Sequence, residues 1–204
     1  MEIAIIGSGK VGKSIGTGLL KSGNKVVYGS RNPAQATVPE GAAKASVEEA
    51  AKKAEVIFLA VPYSAVKETI AKLKNAGIAG KTVVDVTNII GPNMEWAMGF
   101  NSSGAEELAK ELQGVDVVKA FNTVFAEHMS TGKLNGEKLS LFMAGDNPAA
   151  KGKVKQLAEQ IGFEACDAGE LKNARYLEPL GLLMINLGFG MKMGTRIGFK
   201  LVKE

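Results

Sequence analysis

The residues with the clearest chemistry form a hexapeptide near the N-terminus with the spacing G-x-G-x-x-G: Gly7, Ser8, Gly9, Lys10, Val11 and Gly12. In this pattern the first glycine permits a tight turn, the second leaves room for a pyrophosphate, and the third lets the following helix pack closely. The N-terminus of that helix presents free N–H groups and a partial positive charge to phosphates. We therefore expect these six residues to bind a dinucleotide. The alternative is that the glycines serve only the geometry of a turn.

The end of the second predicted strand indicates which dinucleotide is bound. Folds that bind NAD place an Asp or Glu here on the adenosine ribose. This chain instead reads Tyr28-Gly29-Ser30-Arg31-Asn32-Pro33, and the first acid after this strand end is Glu40. A hydroxyl beside a guanidinium suits a 2′-phosphate, because Arg can bind phosphate in bidentate fashion. Ser30 and Arg31 therefore predict NADP(H) rather than NAD(H); the alternative is a turn that carries a solvated arginine.

The other strand ends carry small, amide and hydroxyl side chains. In an open α/β sheet the ligand lies outside the carboxyl ends of the strands. The residues at these ends that we expect to contact the dinucleotide are Ala60, Val61, Pro62, Asn88, Asn122 and Thr123. Asn88 and Asn122 could bond a ribose or a carboxamide, or could cap the turns that follow them. No acid, base or nucleophile occurs at these strand ends, so no catalytic residue is predicted.

Four other side chains could take part in the chemistry of the site, but a purely structural role is an alternative for them. His128 is the only histidine, lies in an apparent helix, and is more simply explained as structural. Cys166 has no basic neighbour and fits a small buried hydrophobe. Asp85 lies within a strand and fits a buried carboxylate whose hydrogen bonds are satisfied, and Tyr63 could donate a proton but has no evident partner. One His and one Cys cannot build a tetrahedral zinc site, so no metal is expected.

The lack of a clear proton donor bears on the reaction. Reduction of a carbonyl normally calls for a Tyr, His or Lys near the nicotinamide. Hydride transfer to another ring cofactor instead requires mainly that two rings be held at contact distance, which is a matter of positioning. The pattern therefore favours a ring acceptor over a small carbonyl substrate.

Strands and helices alternate along most of the chain, which indicates βαβ units and a parallel sheet covered on both faces. The predicted strands cover 1–7, 24–31, 55–62, 81–88, 115–123, 138–145 and 163–169, and the predicted helices cover 10–22, 46–54, 64–76, 104–112 and 148–161. From residue 171 to residue 194 the pattern is helical only. The predicted fold is α/β, a Rossmann-type doubly wound and mostly parallel sheet with a small C-terminal helical segment. We expect residues 1–170 to form the NADP-binding domain and residues 171–204 to complete the acceptor site.

Composition bounds the class of protein. The chain has 204 residues, a hydrophobic fraction of 46% and a charged fraction of 23%, which is ordinary for one globular domain. It shows no signal-peptide pattern and no apolar run of the ~18 residues that a spanning helix needs, so we expect a cytoplasmic protein without a membrane partner. The net charge of +4 lies in residues 171–204. Such a patch could meet a nucleic acid, a membrane surface or an anionic small molecule, or could be a solvated helix face; we expect no nucleic-acid partner.

Five segments resemble the NADPH:coenzyme F420 (8-hydroxy-5-deazaflavin) oxidoreductase family and the related reductase domain of the Steap metalloreductases, which pairs NADPH with a flavin. The segments are GSGKVGKSIGTGLLKSGNKVVYGSRNP, VVDVTNII, VVKAFNTV, FMAGDNPAAKGKV and IGFEACDAGELKNARYLEPL. GSRNP and KAFNT are the specific motifs, whereas the glycine loop is common to many families. The resemblance covers nearly the whole chain.

The resemblance implies a Rossmann fold with NADPH at the glycine loop and with Ser30 and Arg31 on the 2′-phosphate. It also implies a deazaflavin ring over the nicotinamide, near residues 122–126 and the tail around Met193 and Gly194. Deazaflavin enzymes often carry a further Lys shortly after the Ser-Arg pair, whereas residues 34–36 of this chain are Ala-Gln-Ala. They also often have a His in the fifth-strand motif, where this chain has Asn122. The second cofactor is therefore expected to be either coenzyme F420 or a flavin.

The resemblance and the residues together predict an NADP-dependent oxidoreductase that transfers a hydride between NADP(H) and a deazaflavin or flavin. We expect the protein to form a homodimer. One alternative is a reductase of a small carbonyl or imine, although only 34 residues follow Glu170 and such enzymes need a long helical C-terminal domain. The other alternative is a non-catalytic NADPH-binding sensor. Its basic tail would bind a partner, but that tail is rich in Met and Gly, which better suits a ring pocket or a subunit interface.

Overall fold

Short apolar strands form the centre of the fold. The computed structural model describes residues 1–91 and 98–204. The strands of this part of the chain are β1 (Glu2–Ile6), β2 (Lys25–Gly29), β3 (Ala43–Ala45), β4 (Val56–Leu59), β5 (Thr82–Asp85), β6 (Asp116–Ala120), β7 (Lys133–Leu134), β8 (Glu137–Lys138), β9 (Ser140–Gly145) and β10 (Glu164–Asp167). Strands β4 and β5 are buried at every position, as expected for strands covered on both faces.

Eight of these strands form one sheet in the order β10-β9-β6-β5-β4-β1-β2-β3. Six of them, from β6 to β3 in that order, are parallel, while β9 pairs with β6 in the antiparallel direction and β10 follows β9. The order reverses at β1, whose neighbours are β2 and β4. A reversal of this kind opens a crevice at the carboxyl ends of the strands, which is where such sheets bind ligands.

Helices with clear sequence signals cover the sheet. They are α1 (Lys10–Lys21), α2 (Val47–Lys53), α3 (Tyr63–Asn75), α4 (Gly104–Glu111), α5 (Pro148–Ile161) and α6 (Ala174–Ile185). A capping box is present at α2, where the Ser46 hydroxyl accepts from the Glu49 N–H and the Glu49 carboxylate accepts from the Ser46 N–H. Helix α1 ends before Gly23, whose φ of +80° is typical of the glycine that follows a helix C-terminus.

Two hydrophobic cores lie on opposite faces of the sheet. Alternate residues of β1 point to different sides, so that Ile3 and Ile5 join one core and Ala4 and Ile6 join the other. Side chains of α1 and α5 fill the first core, and side chains of α2, α3 and α4 fill the second. Coverage of both faces confirms the doubly wound α/β class with a mostly parallel sheet.

The C-terminal segment is helical over only part of its length. A 3-10 turn (Leu171–Asn173) leads into α6, and a π-helical turn follows at Asn186–Gly190. Residues 191–204 contain neither helix nor strand, so the helix expected up to residue 194 is wrong beyond Gly190. This last stretch returns to the body of the protein, because the Ser140 N–H donates to the Phe199 carbonyl over 3.0 Å. The division into parts at residue 170 stays a prediction.

The described chain offers nothing that could cross a bilayer as a helix. Within residues 1–91 and 98–204, every helix falls short of the length and apolar character that a membrane span needs.

Candidate dinucleotide-binding site

Two glycines of the phosphate loop are required by packing. Gly7 has φ +112°, and a Cβ atom there would lie 2.3 Å from the carbonyl oxygen of Ala60. A Cβ atom at Gly12 would lie 2.2 Å from the carbonyl oxygen of Gly7. The Tyr28 hydroxyl donates to the Gly12 carbonyl over 2.9 Å, which ties the start of α1 to β2. These glycines therefore let the loop fold tightly between β1 and α1.

Gly9 is different, because protein packing does not explain it. It is the N-cap of α1 with φ −74°, and a Cβ atom there would meet nothing within 4 Å. No side chain caps α1 and no acidic residue lies in its first turn. The helix therefore presents its first N–H groups and its partial positive charge to open space at Gly9. Packing therefore does not require a glycine at this position, and the contact of Gly9 with a pyrophosphate stays a prediction.

The contrast between Gly9 and Gly12 gives a first testable prediction. Gly9→Ala should leave the melting temperature unchanged or raise it slightly, since φ −74° suits alanine and the space is open. It should weaken NADPH binding by about tenfold, equivalent to ~1.4 kcal/mol, because the added methyl group occupies the place of the pyrophosphate. Calorimetric titration and thermal unfolding measure the two effects.

The matched variant Gly12→Ala should instead lower the melting temperature, because its Cβ overlaps the Gly7 carbonyl. Equal NADPH affinity in the wild type and the folded Gly9→Ala protein would show that no phosphate lies at Gly9.

A cleft of 310 Å³ continues from the phosphate loop across the sheet. Its lining combines the loop with the ends of β4 and β5: Gly9, Lys10, Val11, Ala60, Val61, Pro62, Tyr63, Val86, Thr87 and Asn88. The structure thus brings together seven of the residues expected to bind the dinucleotide, and it adds Tyr63, Val86 and Thr87. No carboxylate and no imidazole is among these lining residues.

At the end of β2, the strand next to β1, Ser30 is half-buried and Arg31 is exposed. The Ser30 hydroxyl accepts from the Asn32 N–H over 3.2 Å, which fixes the turn after the strand. The Arg31 side chain is 74% exposed, and its guanidinium lies 3.7 Å from a carboxylate oxygen of Glu68 on α3. The positive charge is therefore open to a ligand that crosses the carboxyl end of β2.

Asn88 and Asn122 bind each other rather than capping turns. The Asn88 Nδ2 donates to the Asn122 carbonyl over 3.1 Å, and the Asn122 Nδ2 donates to the Asn88 Oδ1 over 3.2 Å and to the Leu177 carbonyl over 2.7 Å. The pair joins the ends of β5 and β6 and attaches them to α6. A Cβ atom at Gly181 of α6 would lie 2.5 Å from the Asn88 Oδ1, so the helix approaches this pair closely.

Two buried polar atoms have no partner within the described residues: the Oδ1 of Asn122, which belongs to this pair, and the Oγ1 of the adjacent Thr123. Buried polar atoms are nearly always hydrogen-bonded, so each such atom needs an explanation, such as a bound water or ligand. Phe121 precedes them with φ +66°, a rare conformation for a buried aromatic residue. Edge-to-face contacts with Phe58 and Phe163 hold its ring in place. Backbone strain of this kind is common at functional sites.

A buried cluster of three charges lies beneath the cleft. The Lys119 ammonium is fully buried and lies 2.9 Å from the Asp85 carboxylate and 3.0 Å from the Glu178 carboxylate. It also donates to the Thr87 carbonyl over 2.5 Å, so all three of its protons have acceptors. Burial disfavours the charged ammonium, but the two carboxylates more than offset this and raise the pKa of Lys119 above its ordinary value.

The two carboxylates of the cluster organise their own surroundings. Asp85 accepts from the Thr87 N–H over 2.9 Å and from the Thr87 hydroxyl over 2.7 Å, which confirms the satisfied buried carboxylate expected there. Glu178 accepts from the N–H groups of Gly104 and Ala105 at the start of α4 over 3.0 Å and 3.1 Å. The cluster therefore links β5, β6, α4 and α6 below the cleft.

Sequence reasoning did not identify Lys119 and Glu178, although part of the signal was present. Lys119 stands in the apolar run VVKAF, and Asp85 stands in the apolar run VVDV. A lone charge in each of two buried strands indicates that the strands are neighbours and that the charges pair. The register confirms this, with Asp85 opposite Lys119. Glu178 had no comparable signal.

The remaining candidates lie outside the cleft or at its rim. His128 lies in a short 3-10 helix (Ala126–His128) and is buried, with its Nε2 2.9 Å from the Thr195 carbonyl, which fits the structural role. Cys166 is only half-buried, so the fully buried position expected for it is wrong. Tyr63 is 41% exposed and lines the cleft. Residues 1–91 and 98–204 hold no group of three or more His, Cys, Asp or Glu that could bind a metal ion.

Comparison with known proteins identifies relatives of two kinds. The model of a family described as NADP oxidoreductase, coenzyme F420-dependent, matches residues 2–89. The chain is 34% identical, over 92% of its length, to the F420-dependent NADP reductase of Methanothermobacter marburgensis and covers 92% of that protein. It is 35% identical, over 90% of its length, to the metalloreductase STEAP3 of Rattus norvegicus but spans only 37% of that protein.

Solved structures have the same fold. A structure from Arthrobacter sp. FB24, provisionally assigned as an F420-dependent NADP reductase, matches with a TM-score of 0.86 and 26% identity over the whole of both chains. The imine reductase of Streptomyces aurantiacus matches with a TM-score of 0.67 over 91% of this chain and 62% of its own. At 21% identity, that likeness shows the fold alone. The near full-length match to the reductase of Methanothermobacter marburgensis confirms the resemblance found in the motifs: the chain belongs to the family of F420-dependent NADP oxidoreductases.

Proposed function

We propose that this protein transfers a hydride between NADP(H) and a deazaflavin such as coenzyme F420, or a flavin. The observation that carries the proposal is the space at Gly9, which a Cβ atom would fill and which packing leaves open. It is continuous with the cleft at the ends of β4 and β5. A bound NADPH would supply the hydride, and the residues of this chain hold and orient the ring that carries it.

The positions of Ser30 and Arg31 support NADP(H) as the coenzyme. The exposed guanidinium lies beside a hydroxyl at the carboxyl end of β2, where an acid would occur in a fold that binds NAD. The description of the family to which the chain belongs names NADP, and so does the name of its relative from Methanothermobacter marburgensis. The proposed contacts of the 2′-phosphate are therefore the Ser30 hydroxyl and the Arg31 guanidinium.

The lining of the cleft supports a ring acceptor. Without a carboxylate or imidazole in the lining, proton transfer to a small carbonyl has little support, whereas stacking of two rings needs only correct positioning. The Asn88–Asn122 pair fixes the ends of β5 and β6 against α6. The Asn122 Oδ1 and the Thr123 hydroxyl have no partner within the described residues. The Asn122 Oδ1 would accept a hydrogen bond from a ring substituent, and the Thr123 hydroxyl would donate or accept one.

The tail supports the acceptor side of the same site. Phe189 is 60% exposed, and its ring meets Phe125 edge to face with 5.6 Å between centroids. Phe125 lies in the segment 122–126, near which the resemblance places the deazaflavin ring. We therefore propose that the tail completes the acceptor site through the π-helical turn that carries Phe189.

The experiment is a turnover assay that follows NADPH oxidation with coenzyme F420, FMN or FAD, and with small aldehydes, ketones and imines. We expect turnover with at least one ring acceptor and at least about tenfold less with any carbonyl or imine. Phe189→Ala should raise the KM for the ring acceptor and leave that for NADPH unchanged, while Val202→Ala, at an exposed site farther along the tail, should change neither. Comparable turnover on a simple ketone or imine would contradict the proposal. NADPH binding without any turnover would favour the sensor instead.

A homodimer stays a prediction. The tail exposes several large apolar side chains, namely Tyr176, Leu183, Phe189, Met191 and Met193. A surface of this kind is more typical of an interface than of a face that remains in water. Phe189, one of these residues, contacts Phe125 in the segment proposed for the acceptor, so a second copy of the chain that covered it would also shield the ring.

A further inference from the structure

The ion pair between Arg31 and Glu68 spans the reversal point of the sheet. Arg31 follows β2, while Glu68 lies on α3, which follows β4, and these two strands flank β1. The Arg31 Nη1 lies 3.7 Å from the Glu68 Oε2, and the two side chains are 74% and 52% exposed. This is the only ion pair of Arg31 within the described residues. The pair thus joins the two sides of the place where the adenosine half of a dinucleotide would lie.

We propose that Glu68 is a specificity-determining residue that competes with the 2′-phosphate of NADP(H) for Arg31. A guanidinium offers the same planar set of N–H donors to a carboxylate and to a phosphate. The Glu68 carboxylate and the 2′-phosphate would therefore compete for the donors of Arg31. When the phosphate binds, the Glu68 carboxylate either loses its partner or stays nearby and repels the new charge. Glu68 therefore weakens the binding of NADPH and leaves the binding of NADH, which has no phosphate there, unaffected. This inference rests on the proposed use of NADP(H).

Lys72 moderates the effect of Glu68. Its ammonium lies 3.0 Å from the Glu68 Oε1, one helical turn along α3. The hydrogen bond and charge of Lys72 lower the pKa of Glu68 below its ordinary value, and the charge of Arg31 adds a smaller effect in the same direction. Glu68 is therefore ionised at neutral pH, and part of its charge is compensated by Lys72. Without Lys72, no neighbouring ammonium would compensate the charge of Glu68, and the carboxylate would attract Arg31 more strongly.

The test is a set of calorimetric titrations with NADPH and with NADH. Glu68→Gln keeps the shape of the side chain and should strengthen NADPH binding by about two- to fivefold, the range that an exposed ion pair contributes. The affinity for NADH should stay within error of wild type. Lys72→Met should act in the opposite direction and weaken NADPH binding by up to about twofold. The gain of Glu68→Gln should shrink as the salt concentration rises, because salt screens exposed charges.

Two controls isolate the role of Arg31. In an Arg31→Ala background, Glu68→Gln should lose most of its effect on NADPH, because there is no guanidinium left to compete for. Glu159→Gln removes the same charge from an exposed pair with Lys155 on α5 and should change neither affinity. Glu159 lies next to Gln160, whose carbonyl accepts from Ser22 beyond the C-terminal end of α1, so this control is at the end of α1 opposite the phosphate loop.

Failure of this inference differs from failure of the proposed function. If wild type prefers NADPH and Glu68→Gln binds it no better, Glu68 does not compete for Arg31 and the inference is wrong. The same conclusion follows if Glu68→Gln strengthens NADPH and NADH equally. If wild type binds NADH as tightly as NADPH, the proposed coenzyme is wrong, and the inference that depends on it is overturned too.

Discussion

Replacing Lys119 with methionine is expected to lower the free energy of unfolding by ~3–5 kcal/mol, the usual cost of removing one partner of a buried ion pair. Methionine fills a similar space but leaves the carboxylates of Asp85 and Glu178 buried without a counter-charge. Their remaining donors are the Thr87 N–H and hydroxyl and the first N–H groups of α4. Those bonds do not neutralise two negative charges in a core.

Urea unfolding followed by circular dichroism measures this effect. The matched control is Lys110→Met, which breaks a pair of 2.8 Å with Glu107 on the surface of α4 and should cost less than ~1 kcal/mol. Adding Glu178→Gln and Asp85→Asn to Lys119→Met should recover part of the loss, because the uncompensated charges are then gone. If Lys119→Met were no worse than Lys110→Met, the buried cluster would not be a set of paired charges.

The position of this cluster connects stability to the site. The Thr87 carbonyl that accepts from Lys119 belongs to a residue that lines the cleft. Glu178, on the other side of Lys119, follows Leu177, whose carbonyl accepts from the Asn122 Nδ2. The charges therefore hold the floor of the cleft and the tail helix in one arrangement, which is what two stacked rings at contact distance require.

Most of the fold followed from local signals in the sequence. The strands around Ile57 and Val84 are short apolar runs, and helices α2 and α5 begin at strong caps, Ser46 and Asn147. The alternation of strands and helices could therefore be predicted without tertiary information. Strand β3 was missed because its sequence, Ala-Lys-Ala, lacks β-branched residues. It forms only because β2 offers an edge with which it can pair.

Two other misses have different causes. The hairpin of β7 and β8 carries Asn135-Gly136 at its turn, with φ +51° and +85°, and this dipeptide is a strong hairpin signal that the prediction overlooked. The tail leaves the helical path after Gly190 because His128 and Ser140 bind the carbonyls of Thr195 and Phe199. These contacts join residues more than 50 positions apart, so no local pattern could indicate them.

The site divides in the same way. Gly9 and Arg31 could be proposed as contacts of the dinucleotide from motif and strand order alone, because that proposal depends only on the loops in which they occur. Lys119 and Glu178 could not, because their pairing depends on the register of β5 against β6 and on where α6 packs. Burial of a charge is a property of the assembled fold, and it is unfavourable until the partner is in place.

The second large effect is expected at Arg31. Arg31→Ala should weaken NADPH binding by about 10–150-fold, because a charge-assisted hydrogen bond contributes ~1.5–3 kcal/mol and each 1.4 kcal/mol is about tenfold in affinity. NADH has no phosphate at this position, so its affinity should barely change. Arg196→Ala, which removes an equal charge from an exposed position in the tail, is the matched control and should affect neither coenzyme.

Substitution of the neighbouring hydroxyl tests the same assignment from the other side. Ser30→Asp should weaken NADPH further than Arg31→Ala, because the new carboxylate repels the phosphate, and it should strengthen NADH, because a carboxylate there can accept from the ribose hydroxyls. Titration of both coenzymes on wild type and each variant decides the matter. Equal losses for NADPH and NADH on Arg31→Ala would mean that Arg31 only supports the turn after β2. The opposite signs expected from Ser30→Asp cannot arise from a damaged turn, since a damaged turn would weaken both coenzymes together.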